Sequence, residues 1–147
     1  MLTKKGKYGL KAMAHLARFA PGRPVTVAEI ATGQNIPKKF LDAILGELRN
    51  SGYVVSKMGK GGGYALARPA AGIIVGDIIR ALDGPLAPLP CASQTSYRPC
   101  DDCGDVDRCQ IRLLMQEARQ ALSAVLDNYT LEQACALGET IPLCYEI

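Results

Sequence analysis

The segment Ser56-Lys57-Met58-Gly59-Lys60-Gly61-Gly62-Gly63-Tyr64-Ala65-Leu66-Ala67-Arg68 constrains the fold more than any other stretch of the chain. It sets four glycines and two lysines between the apolar run Tyr53-Val54-Val55 and the alternating run Tyr64-Ala65-Leu66, the pattern of a β-hairpin with a basic, flexible tip. A phosphate-cradling nucleotide loop is the competing reading of so many glycines. That loop needs Gly-Lys-Ser/Thr opening a helix, whereas Gly63 leads into Tyr64 and a strand pattern. The residue that would touch magnesium is therefore missing, and the hairpin reading stands.

The elements before the hairpin follow from capping and periodicity. Thr3 is placed to cap a first helix, in which Leu10, Met13, Ala14 and Ala17 recur at helical spacing and Ala12, Leu16 and Phe19 lie on an adjacent packed face. Ala20-Pro21-Gly22-Arg23-Pro24 ends it. The single histidine, His15, lies inside this helix without a second ligand at metal spacing, so it reads as a packing side chain. Thr26-Val27-Ala28-Glu29 is a capping box opening a short helix with Val27, Ile30 and Ala31 inward. Gly33 is suited to a left-handed cap after it, and Pro37 to the start of the next helix. That third helix runs to about Asn50, with Phe40, Leu41, Ile44, Leu45 and Leu48 as its buried stripe and Gly52 closing it. A short helix, a tight turn, a longer helix with a basic N-terminus and then a hairpin spell a winged helix-turn-helix.

Charge points the same way. Residues 1–68 carry 12 Lys/Arg against three acids, and residues 69–147 carry five Arg against 11 acids, so a net charge of +3 conceals two halves of opposite sign. A half this basic calls for a polyanion, of which nucleic acid is the commonest. Lys38 and Lys39 at a helix N-terminus offer ammonium groups and amides to a phosphate backbone, and Lys57 and Lys60 at the hairpin tip offer a second contact. With 48% hydrophobic residues the composition is that of a folded domain. Neither a signal-peptide h-region nor a stretch of membrane-span length is present, so a cytoplasmic protein without membrane contact is expected. No Ser/His/Asp or Cys/His constellation can be built around one histidine, so no enzyme activity is expected.

The segments Ile36-Pro37-Lys38-Lys39-Phe40-Leu41-Asp42-Ala43-Ile44-Leu45, Leu48-Arg49-Asn50-Ser51-Gly52-Tyr53-Val54 and Ser56 to Arg68 resemble the Rrf-two family of bacterial winged helix-turn-helix transcription regulators. Leu2-Thr3 with Tyr8 and Leu10, and Ile74-Val75-Gly76-Asp77-Ile78-Ile79-Arg80-Ala81-Leu82-Asp83-Gly84, are similar to it as well, so the likeness spans the chain. The resemblance implies a homodimer that binds double-stranded operator DNA. The DNA-contacting residues expected are Thr3, Lys4, Lys5, Tyr8, Thr26, Pro37, Lys38, Lys39, Phe40, Lys57, Lys60 and Gly61. Met58 stands where many relatives carry an arginine that reads the minor groove, which leaves the wing with phosphate contacts through its lysines.

After the hairpin, Val75, Ile78, Ile79 and Leu82 read as a short amphipathic helix, and Gly84-Pro85-Leu86-Ala87-Pro88-Leu89-Pro90 as an extended loop. A helix over residues 106–126 carries Ile111, Leu114, Ala118, Ala121 and Val125 at three-and-four spacing, widened by Met115 and Leu122, and is expected to pair with its copy. Thr130-Leu131-Glu132-Gln133 caps one more short turn, and Glu139 to Ile147 reads as a tail.

Of six cysteines, Cys91, Cys100, Cys103 and Cys109 cluster between the Pro-rich loop and the long helix, while Cys135 and Cys144 read as packing or tail residues. Without a secretory signal, metal or redox chemistry is favoured over a disulfide framework. Iron-sulfur-binding members of the family carry three cysteines in this loop, and Cys91, Cys103 and Cys109 are their positional counterparts, with Cys100 extra and Arg112, which cannot ligate, near where a histidine ligand is expected. Three readings stay open: a 2Fe-2S or 4Fe-4S cluster, a structural zinc site, or free thiols. The fold expected is mainly α with a small β-hairpin wing. Residues 1–84 form the winged helix-turn-helix domain, 85–105 the cysteine-rich loop, and 106–147 the dimerisation helix and tail. The function expected is a regulator of transcription, most simply a repressor, that senses iron-sulfur, metal or redox status. The alternative is a zinc-stabilised adaptor that turns its basic half to an acidic partner.

Overall fold

The computed structural model describes residues 2–139. Six helices and one hairpin follow one another as α1 (Lys4–Phe19), α2 (Val27–Gln34), α3 (Lys38–Asn50), β1 (Val54–Lys57), β2 (Gly63–Leu66), α4 (Val75–Asp83), α5 (Gln110–Leu126) and α6 (Leu131–Leu137). Among the described residues no helix is long and apolar enough to cross a membrane.

The helix starts are where the side chains dictate. Thr3 caps α1, its hydroxyl accepting from the Gly6 amide at 3.1 Å. The Thr26 hydroxyl accepts from the Glu29 amide at 3.2 Å while the Glu29 carboxylate accepts from the Thr26 amide at 3.0 Å, so the capping box is complete. Thr130 and Gln133 repeat the device at α6. Pro37 takes the position just before α3, and Gly52 (φ +81°) turns the chain away from its end.

One core serves the chain. Met13 and Leu16 of α1, Ile30 of α2, Leu41, Ile44, Leu45 and Leu48 of α3, Ile78 of α4 and Leu131 of α6 are fully or almost fully buried together. α1 runs through the middle, and its glycines mark where α4 comes closest: a Cβ on Gly9 would stand 2.1 Å from Leu82 Cδ1. α6 returns to this core after α5, held by Leu131 N donating to Ile73 O at 2.8 Å and Val75 N donating to Tyr129 O at 3.0 Å.

Four sequence expectations are corrected. The left-handed residue after α2 is Asn35 (φ +52°), not Gly33, which is helical. Asn is one of the few residues besides glycine that enter that conformation readily, and Gly33 serves a different need, since a Cβ there would lie 2.7 Å from His15 Cε1. Phe40 is 63% exposed and off the α3 stripe, and Phe19 is exposed too, its ring covered by the Arg18 guanidinium. Finally α5 begins at Gln110 instead of Val106, because the Asp105 carboxylate accepts from the Asp107 and Arg108 amides at 3.1 and 3.3 Å and holds that segment in a turn. Cys135 packs against the core as expected, while Cys144 and most of the tail lie outside the described residues.

Candidate nucleic-acid interface and cysteine-lined cavity

The first turn of α3 is presented by the turn that closes α2. The Asn35 turn, with the Ile36 amide donating to Ala31 O at 3.0 Å, sets Pro37, Lys38, Lys39 and Phe40 at the surface, all four exposed. Lys38 pairs with Asp42 one turn on at 3.4 Å, while Lys39 makes no ion pair among the described residues. His15 braces this turn from α1, its Nδ1 3.0 Å from Gln34 Nε2, and burial lowers its pKa.

The wing is tied to the same unit. β1 and β2 pair antiparallel with Val54 opposite Leu66 and Lys57 opposite Gly63. Val25, just before the capping box, exchanges two backbone hydrogen bonds with Tyr64 at 2.8 Å each, a third strand contact that the sequence pattern does not announce. Gly63 (φ +144°) permits that approach, because a Cβ there would lie 2.3 Å from the Val25 carbonyl oxygen. The tip carries Lys57, Lys60 and Gly61 at the surface, and Met58 is 90% exposed between them.

At the other end of the basic half, Thr3 is committed to structure. Its amide donates to Asp83 Oδ2 at 2.9 Å and its hydroxyl to Asp83 Oδ1, which fastens the start of α1 to the end of α4. Lys4 is exposed, Lys5 pairs with Glu47 of α3 at 3.1 Å, and Tyr8 is half-buried against the core. Thr26 is likewise spent as a cap, leaving the α2 N-terminus, not its hydroxyl, to face a ligand.

The four clustered cysteines line one cavity of about 250 Å³ at the start of α5, with Leu89, Val106 and Ile111 as apolar wall and Asp102 and Arg112 at its polar side. Cys91 is buried in a 3₁₀ turn (Pro90–Ala92), Cys103 and Cys109 are half-buried and Cys100 is exposed, and none is in a disulfide. Arg112, whose part in shaping the loop the sequence does not reveal, ties the cavity together: its Nε donates to Cys91 O at 3.0 Å and a terminal nitrogen to Val106 O at 3.3 Å.

The thiols are not equivalent. Cys109 stands at the position just before α5, and the Arg112 amide, with Ile111 and the neighbouring Cys103 thiol adding to it, lowers its pKa. The neighbouring Cys109 raises the pKa of Cys103, and Asp102 beside Cys100 pushes that thiol up to about 11. Soft thiolate donors around an apolar-walled cavity fit an iron-sulfur cluster or zinc in kind. Among the described residues no three His, Cys, Asp or Glu side chains converge closely enough to hold a metal ion as they stand.

Comparison with known proteins gives these features a family. Residues 2–136 match the model of the Rrf2 (Rrf-two) family, described as an iron-dependent transcriptional regulator. An rrf2-like HTH-type transcriptional regulator of Rhodobacter capsulatus is 42% identical over 142 residues, covering 94% of each chain. The HTH-type transcriptional regulator IscR of Yersinia enterocolitica is 33% identical, over 90% of this chain and 77% of that one. The structure of CymR, the global cysteine regulator of B. subtilis, superposes with a TM-score of 0.74 at 33% identity, over 93% of this chain and 97% of CymR. The α2–α3 pair and the hairpin described above are thus the winged helix of a transcriptional regulator, and the chain belongs to the Rrf2 family.

Proposed function

We propose that the chain is a homodimeric repressor that binds double-stranded operator DNA and whose affinity is set by the state of its cysteine loop. The observation that carries this reading is the outer face of α5. Leu114 is 56% exposed, and Ile111, Leu122 and Val125 are exposed with it, on a helix that starts at the cysteine cavity. Such an apolar face needs a cover, and a two-fold copy supplies one while placing two recognition helices on adjacent half-sites.

In this reading the first turn of α3, with Pro37, Lys38, Lys39 and Phe40, enters the major groove. Thr3, Lys4, Lys5, Tyr8 and Thr26 flank it near the backbone, and Lys57, Lys60 and Gly61 bring the wing to a neighbouring phosphate. Met58 gives the wing no groove-reading cation, so sequence choice rests on α3. Cys91, Cys103 and Cys109 would hold an iron-sulfur cluster, Cys100 being an exposed thiol whose pKa Asp102 pushes up to about 11; zinc would take all four. A bound cluster supplies a centre that responds to electrons and oxygen. The chain's own part is mechanical: Arg112 bonds the cysteine loop to the first turns of α5, so a rearranged loop re-aims that helix and changes half-site spacing. A cytoplasmic setting, where DNA is found and thiols stay reduced, suits both halves of the reading.

Duplex binding measured against salt tests it. Log affinity should fall linearly with log salt, and Lys39→Ala should reduce that slope by about 1. Absence of duplex binding even at low salt would refute the DNA reading and favour an acidic protein partner.

A further inference from the structure

We propose that the cavity between α5 and the chain just past Cys91 is a binding site for a small oxyanion, held by Arg119. Arg119 is 8% exposed, its buried Nε has no hydrogen-bond partner, and among the described residues its side chain makes no hydrogen bond or ion pair. A guanidinium does not deprotonate in a protein, so Arg119 keeps its charge with Nε buried and no counter-charge against it among the described residues. The other guanidinium on this cavity is satisfied: Arg80 grips Asp127 at 2.7 and 2.8 Å and reaches Asp77 at 3.2 Å.

The walls suit an anion. No carboxylate lines the cavity, whereas Ser93, Gln94, Thr95 and Ser123 bring hydroxyl or amide donors to it. Ser93 is buried, and its Oγ accepts from the Ser96 amide at 3.0 Å, which leaves its hydroxyl proton to donate. Exposed Gln94 and Thr95 stand on the solvent side. The volume, about 40 Å³, is roughly three times the ~10–15 Å³ that a single water needs. It admits a carboxylate or a tetrahedral oxyanion head and excludes a nucleotide or an aromatic ring. The planar fork of Arg119 matches two oxygens of either. Ser93 to Thr95 begin two residues after Cys91, so a bound oxyanion pins the chain leaving the cysteine cavity to the middle of α5.

The site is testable without DNA or metal, so its fate is separate from that of the DNA reading. The full chain and Arg119→Met are melted in acetate, sulfate or phosphate against chloride at constant ionic strength. The wild type should gain a saturable rise of about 3 °C with at least one of these anions. Arg119→Met should lose it, keeping only the non-saturating salting-out effect that sulfate and phosphate exert on any fold. A rise with acetate alone assigns a carboxylate ligand, and one with sulfate or phosphate alone a tetrahedral oxyanion. Ser123→Val, which narrows the cavity and leaves Arg119 in place, should also abolish the rise and keeps the test open if Arg119→Met does not fold. Three results would overturn the proposal: no saturable effect in the wild type, an effect that survives Arg119→Met, or a dimer that Arg119→Met dissociates while no anion acts. The last would mean that a carboxylate of the second copy completes Arg119.

Discussion

Gly63→Ala should detach the wing from the helix-turn-helix. The added Cβ would stand 2.3 Å from the Val25 carbonyl oxygen and 2.8 Å from the Thr26 amide nitrogen, both backbone atoms that cannot swing aside. The backbone at φ +144° is itself a region that alanine rarely enters, a cost of about 1–3 kcal/mol. Relieving the clash means parting Val25 from Tyr64, which removes two 2.8 Å hydrogen bonds worth about 1 kcal/mol each. Some of the strain relaxes once the bonds are lost, so the net destabilisation expected is about 2–4 kcal/mol. Gly61→Ala is the control, because Gly61 also has positive φ (+75°) but nothing within 4 Å of a Cβ, and its cost is conformational alone, about 1 kcal/mol. Urea unfolding of both variants, with hydrogen exchange at the Val25 and Tyr64 amides, makes the comparison. Equal destabilisation by the two alanines, with those amides still protected in Gly63→Ala, would refute the claim that the wing is anchored through Val25.

Two further predictions concern α5. Leu114→Glu places a charge on its exposed apolar face and should convert a dimer to a monomer in sedimentation velocity while moving the monomer's stability by no more than about 0.5 kcal/mol; a persistent dimer would move the interface elsewhere. Asp127→Asn breaks the fork that Arg80 makes from α4 to the end of α5. The Arg80 hydrogen bonds hold the Asp127 pKa below its ordinary 3.8, so the pair stabilises above that pH and the contribution is lost as pH falls through the folded value. With side chains 31% and 39% exposed, solvent screening limits the loss at neutral pH to about 1 kcal/mol, and the gap between variant and wild type should close in acid.

The parts of the fold written in local chemistry were legible in the sequence. Thr26 and Glu29 are three apart and can only cap, Pro37 can only begin a helix there, and the glycines between Val55 and Tyr64 can only turn. What depends on neighbours distant in the chain was not. Gly33 looks like a terminator by type but is needed because His15 of α1 lies against it. Phe40 looks like core by hydropathy, yet the four buried α3 positions already fill the space between α1, α2 and α4, leaving Phe40 outward. The cysteine spacing announced a cluster but not the inequality of its thiols, which comes from Asp102 and from the amides that open α5. Arg119 shows the limit most plainly, since an arginine on an amphipathic helix reads as solvated, and only the packed loop shows it to be buried and unpaired.

In the proposed mechanism the cysteine loop sets the affinity of the winged helix for DNA. The most direct measurement is a duplex titration of protein prepared without oxygen, wild type against Cys103→Ala, before and after oxidant, on a duplex selected by the wild-type chain. Cys103 is half-buried, its thiol donating to Asp105 O, and lies outside the helices that would touch DNA, so its loss should leave folding and the salt slope unchanged. A coupling of 1–3 kcal/mol between loop and wing predicts an affinity change of about 5- to 150-fold in wild type on oxidation, absent in Cys103→Ala. Equal affinity in the two proteins, with an equal response to oxidant, would contradict the account.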